Sequence, residues 1–104
     1  LSQAFWKPSK SGKWLHLVTT YDVPKARITH YLNGQQFSQE SVPEESLVPA
    51  TRIGAASIGN WSQPTREDAQ FAIRNLNGSI DELAIFSAAL SADEVKEIYE
   101  HGKP

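Results

Sequence analysis

The sequence contains no cysteine, which excludes disulfides, thiolate metal sites and a cysteine nucleophile. The compartment stays open on this ground, because many exported bacterial proteins also do without cysteine. No basic block occurs, and no basic run is interleaved with aromatics; the formal net charge is −2, from 10 Lys and Arg against 12 Asp and Glu. A nucleic-acid groove or an anionic membrane surface is therefore not expected as the main partner. There is no long apolar run, so direct membrane insertion is not expected, and no charged-then-apolar leader is seen. The 104 residues make one domain at most, near the size at which a single core is adequate but not generous. Because the sequence opens on Leu1, it reads as a piece of a longer protein, with any export signal or anchor outside it.

What is present is a succession of strand patterns separated by turn chemistry. Residues 1–7 hold Ala4, Phe5 and Trp6, suited to an edge strand, before a polar turn at 8–13. Residues 14–21 alternate Trp14, His16, Val18 and Thr20 with Leu15, Leu17, Thr19 and Tyr21; the second set is expected to face inward, and Trp14 to be core. A connector containing Pro24 leads to a strand over 27–32, and Asn33-Gly34 turns the chain into 36–41, giving a three-strand meander. Residues 43–49 form a loop with acidic Glu44 and Glu45, and residues 51–60 read as a further strand in which Gly54 marks a bulge or close approach. Residues 61–75 are polar and read as a long loop, with Phe71, Ala72 and Ile73 as a short strand inside it.

The most structured stretch is 77–99. Asn77-Gly78 is a tight-turn signal, and residues 80–86 read as a central strand, with Ile80, Glu82, Ala84 and Phe86 on one face and Asp81, Leu83 and Ile85 on the other. Ser91 and Glu94 have capping-box spacing, Leu90 and Val95 the spacing of a hydrophobic staple. Val95, Ile98 and Tyr99 recur at helical intervals, and Gly102 suits a left-handed stop. A short helix is expected at about 92–100.

The run Asn77 to Phe86, followed by Ala89 to Val95 and closed by Tyr99 and Gly102, resembles the C-terminal signature of laminin-G-like jelly-roll domains, within the concanavalin A-like lectin and glucanase superfamily. Residues 14–22 and Tyr31-Leu32-Asn33-Gly34 resemble that family's paired hairpin strands. The resemblance covers most of the chain and implies an all-β, antiparallel β-sandwich of jelly-roll type with one short C-terminal α-helix. Residues 1–104 then form a single domain or the C-terminal portion of one, because the family's earlier strands have no counterpart here. An incomplete sandwich would leave a sheet face and edge uncovered, so a homo-oligomer in which a second copy covers the exposed sheet is expected.

Relatives with this fold include retaining glucanases, whose chemistry needs two carboxyl groups roughly 5 Å apart on one face. Asp81 and Glu82 are adjacent on the expected strand and would point to opposite faces, the other acids lie on a helix or in a loop, and no enzyme activity is expected. The resemblance further implies a structural calcium in the intact domain, with Asp81 at the matching position; the alternative is an acid that fixes the turn after Gly78. No other cofactor is indicated. His16 and His30 lie on strands expected to pair and so to bring them near each other, while His101 complements a helix end. Trp61 beside Asn60 suits stacking on a sugar face with hydrogen bonds at its rim, the alternative being a ring packed over the sandwich edge. Asn60-Trp61-Ser62 and Asn77-Gly78-Ser79 match glycosylation triplets. The expected role is a non-catalytic module recognising a glycan or protein surface, extracytoplasmic and secreted or envelope-attached. The rivals are a ligand-free scaffold attached to an enzyme or to a membrane-anchored sigma-factor-type regulator, and a degenerate glycosidase.

Overall fold

In the computed structural model of the protein, residues 7–61 and 74–102 are described, the side chains of residues 60, 61, 74 and 75 excepted. The chain divides into one unit of Leu1–Pro49 with Phe86–Pro104 and a second of Ala50–Ile85. The first holds strands β1 (Leu17–Asp22), β2 (Arg27–Leu32) and β3 (Gln35–Ser41), antiparallel in the order β1-β2-β3. This is the meander expected from the sequence, with β1 starting later than its pattern suggests.

Turn chemistry closes both hairpins. Between β1 and β2, Pro24 presets φ at the second turn position, and the Ala26 N–H donates to the Val23 carbonyl at 2.9 Å. Ala26 itself takes φ 48, a left-handed conformation that costs a residue with a Cβ. Two bonds hold it there: the Lys25 N–H donates to Asp22 Oδ1 at 3.2 Å and the Val42 N–H to the Ala26 carbonyl at 2.7 Å. Between β2 and β3, Asn33 and Gly34 take φ 51 and 80, the two positive values that a type I′ turn requires. The Asn33 N–H donates to the His16 carbonyl at 2.9 Å, and Asn33 Oδ1 accepts from the His16 N–H at 3.0 Å.

The register puts Leu17 opposite Leu32, Thr19 opposite His30 and Tyr21 opposite Ile28 on one face. Val18 with Tyr31, Thr20 with Thr29 and Asp22 with Arg27 share the other. The expected inward set of β1 is corrected here: Thr20, Thr29 and Tyr31 are buried, while Leu17 and Thr19 are exposed. The buried face carries its own polar partners, which hydropathy does not count. Gln39 Nε2 donates to Thr29 Oγ1 at 3.2 Å, and Arg27 Nη1 donates to Gln39 Oε1 at 3.3 Å. Trp14 is also corrected, since it precedes β1 and stays exposed. A β-bulge falls where β3 passes His30 and Tyr31, so His30 pairs with Ser38 but Tyr31 pairs with Gln36. Phe37 is the extra residue.

Helix α1 (Ala92–His101) begins at a complete capping box: Glu94 N–H donates to Ser91 Oγ at 3.2 Å, and Ser91 N–H donates to Glu94 Oε2 at 2.7 Å. Val95 is fully buried, and His101 sits in the last turn, where a cation would complement the helix dipole. Tyr99 approaches the β2–β3 turn so closely that a Cβ on Gly34 would stand 2.8 Å from its Cδ1 and 3.2 Å from its Cβ. The His16 ring lies against the same side chain, with centroids 5.7 Å apart and planes inclined by 36°. Gly102 caps the helix at φ −98, not in the expected left-handed conformation. Its N–H donates to the Ile98 carbonyl at 2.9 Å, so it continues the helical bonding and leaves no need for a reversal.

In the second unit, β4 (Asn60–Trp61) pairs antiparallel with β5 (Arg74–Asn75). Gly59 precedes β4 at φ 72, and its carbonyl accepts from the Leu76 N–H. Of the strand expected over 51–60 only Asn60 enters a ladder, and the expected short strand at 71–73 lies outside the described residues, as do Ala4, Phe5 and Trp6. Residues 80–86 form no strand, and all are exposed. Their alternation is that of a strand covered on both faces, but a ladder needs a partner, and no described residue pairs with them. Asn77-Gly78 is likewise no hairpin turn, because neither residue takes a positive φ. The described architecture is mostly β, with an antiparallel three-strand sheet and a single C-terminal helix, as in an incomplete β-sandwich.

Candidate functional site

The face of the sheet that bears Leu17, Thr19 and Tyr21 is covered unequally along its length. At the Tyr21 end the segment after β3 is pinned down: the Val48 N–H donates to the Tyr21 hydroxyl at 2.9 Å, and that hydroxyl donates to the Val48 carbonyl at 3.2 Å. Toward the Leu17 end a depression of about 150 Å³ opens, lined by Leu17, Thr19, His30, Leu32 and Phe37 with parts of Val18 and Tyr31. The bulge is what brings Phe37 into this lining.

Thr19 and His30 are direct cross-strand partners, and Thr19 Oγ1 lies 2.9 Å from His30 Nδ1. When the hydroxyl donates to Nδ1, the ring offers its Nε2–H as a donor; in the other tautomer Nδ1–H donates to the hydroxyl and Nε2 becomes an acceptor. The next residue across the sheet is Ser38, whose Oγ is buried without a hydrogen-bond partner among the described residues. A row of Thr19, His30 and Ser38 therefore crosses three strands between apolar neighbours. Of these, Thr19 and His30 line the depression and can orient a polar ligand by hydrogen bonds while Leu17, Leu32 and Phe37 take its apolar side. Nucleophilic catalysis would need a further group to orient the imidazole, and no described residue is seen bonded to Nε2.

The sequence-derived candidates fall elsewhere. Asn60 and Trp61 occupy β4, opposite Asn75 and Arg74, but their side chains lie outside the described set. Asp81 is exposed in the unpaired segment, as is Glu82; without a strand there, the argument from opposite faces loses its basis, and two solvated carboxylates remain. No group of three or more His, Asp or Glu side chains placed to hold a metal occurs among the described residues. His16 and His30 are not brought together. By alternation they point to opposite faces, and His16 Nδ1 is buried without a partner beside Tyr99. The Thr19–His30 pair follows from the register set by the closing pair Asp22 and Arg27, from which each residue lies three places.

Comparison with known proteins bears on the whole chain. A laminin-G family model, described as the concanavalin A-like lectin/glucanases superfamily, matches residues 3–96. A solved relative is the crystal structure of an S-layer domain-containing protein (residues 221–444) from Clostridium thermocellum, 28% identical, with a TM-score of 0.65. The alignment covers 86% of this chain and 40% of that one. No curated protein matches. The match of the family model over nearly the full length, on a chain that folds as an antiparallel sheet with a capped C-terminal helix, places this protein in the laminin-G-like group of the concanavalin A-like lectin and glucanase superfamily.

Proposed function

We propose that this chain is a non-catalytic recognition module of an extracellular or envelope-associated protein, and that it holds part of a carbohydrate or protein surface against the open end of the β1–β3 sheet. The observation that carries this reading is the Thr19–His30 hydrogen bond set in an apolar depression. The size of the depression sets the scale of the ligand. At about 150 Å³ it is smaller than the roughly 300–1,000 Å³ that encloses a drug-sized molecule, so it suits one sugar ring or one side chain of a larger surface.

The S-layer relative supports the envelope assignment, and no described helix is long and apolar enough to cross a membrane. Trp61 and Asn60, in β4 of the second unit, are proposed separately as a stacking platform for a sugar. Calcium at Asp81 is a separate proposal for the intact domain, in which backbone carbonyls and an earlier segment would supply the remaining oxygen ligands. A glycan array probed with the wild-type protein and with Thr19→Val and His30→Ala tests the proposal. Binding that falls about tenfold or more in both variants, with unchanged thermal melts, is expected for two cooperating hydrogen-bonding groups. Wild-type binding that both variants retain would move the site off this face, and the absence of any binding to glycans or to envelope proteins would favour a ligand-free scaffold.

A further inference from the structure

The chain contains two Asn-Gly pairs, Asn33-Gly34 and Asn77-Gly78, and the fold treats them oppositely. We infer that Asn77 is a site of spontaneous conversion to aspartate and isoaspartate, while Asn33 is protected. In this reaction the backbone nitrogen of Gly78 attacks Cγ of Asn77. A nitrogen–carbon bond forms, the side-chain nitrogen leaves as ammonia with the proton released by the backbone N–H, and a cyclic imide results. Water then opens the imide at either carbonyl. One opening gives aspartate, and the other gives isoaspartate, in which the main chain runs through the former side chain.

Three features favour the reaction at Asn77. Both residues are exposed. Gly78 is unobstructed, since a Cβ built there would meet only the Leu76 side chain, at 3.7 Å. Neither residue is locked into a left-handed turn, and no described residue bonds the Asn77 amide, so the backbone is free to bring nitrogen and Cγ together. Asn33 has the reverse on every count. Its Oδ1 accepts from the His16 N–H at 3.0 Å, and its own N–H donates to the His16 carbonyl at 2.9 Å. Gly34 is buried against Tyr99. Reaching the imide at Asn33 means giving up the Oδ1 bond and deforming a turn on which the helix rests; loss of one net hydrogen bond alone corresponds to a rate factor of roughly ten.

The product alters the segment that follows. Aspartate adds a negative charge ahead of Asp81 and Glu82, and isoaspartate inserts a methylene into the backbone just before residues 80–86. The test is incubation of the folded protein in warm, mildly alkaline buffer, with peptide mapping by mass spectrometry and methyl labelling by an isoaspartyl methyltransferase. Conversion at Asn77 at least about tenfold faster than at Asn33 is expected, the two rates converging in concentrated urea. Gly78→Ala should slow conversion at Asn77 and leave Asn33 unchanged. Equal rates at the two sites in the folded protein, or an Asn77 that stays intact when folded but reacts in urea, would overturn the inference; the urea comparison serves if the variant does not fold.

Discussion

Gly34→Ala tests whether the turn between β2 and β3 is also the seat of the helix. Two costs are expected, and the structure separates them. The first is conformational. Gly34 takes φ 80, and a residue with a Cβ pays roughly 1–2 kcal/mol in that region. The second is steric, because the new Cβ would stand 2.8 Å from Tyr99 Cδ1 and 3.2 Å from both Tyr99 Cβ and Cγ. Since Tyr99 Cβ is fixed to the helix backbone, the ring cannot swing clear without moving α1, and overpacking of this kind costs about 1–3 kcal/mol. The sum, about 2–5 kcal/mol, is a large part of the roughly 5–15 kcal/mol that holds a typical domain folded.

Gly12→Ala is the matched control, because Gly12 has φ 74 with nothing near the position of a Cβ, and it should show the conformational cost alone. The assay is urea unfolding followed by fluorescence, with the midpoint compared at constant slope. In a Tyr99→Ala background the cost of Gly34→Ala should fall to that of Gly12→Ala, a coupling within the range found for residues in contact. A Gly34→Ala variant no less stable than Gly12→Ala, or a cost unchanged when Tyr99 is truncated, would refute the contact.

Ala26→Gly should stabilise the protein by about 1 kcal/mol, because it removes a Cβ from a left-handed position; a rise in the urea midpoint checks it, and a fall would mean that the turn tolerates alanine without strain. Ser91→Ala breaks the capping box and should cost about 1 kcal/mol, read as a lower melting temperature together with loss of helical circular dichroism. Self-association through the open sheet face is expected to raise the mass seen by light scattering as concentration rises through the micromolar range. Leu17→Lys, at an exposed position of that face, should abolish the rise without lowering the melt. A sharp monomer mass at all concentrations would remove the second copy as an occupant.

The parts of the fold that were legible in the sequence are those whose causes are local. Asn33-Gly34 fixes a turn type by φ alone, and Ser91 with Glu94 fixes a helix start by two reciprocal bonds, so both appear where the sequence places them. Residues 80–86 have an equally clear alternation but form no strand, because pairing depends on a second segment that no local pattern supplies. The inward face of β1 was misread for a related reason. That face is set by cross-strand partners, Thr29 opposite Thr20 and Gln39 bonded to Thr29, and not by the hydropathy of β1 itself. Of the candidate site, His30 was noticed as a residue type, but its mate was assigned to His16. The Thr19–His30 contact follows once register is known, and register is a property of two strands together.

The β-bulge in β3 has a consequence for how that strand tolerates change. Gln36 shares a face with Tyr31, and three residues later Gln39 shares the same face with Thr29, so the rule of odd and even positions reverses at Phe37. In effect β3 is written in two reading frames. A substitution scheme that respects the pleat at Ser38 and Glu40 is wrong by one place at Gln35 and Gln36, and deletion of Phe37 would merge the frames by joining Gln36 to Ser38 in one unbroken alternation, every remaining side chain keeping the face it already holds.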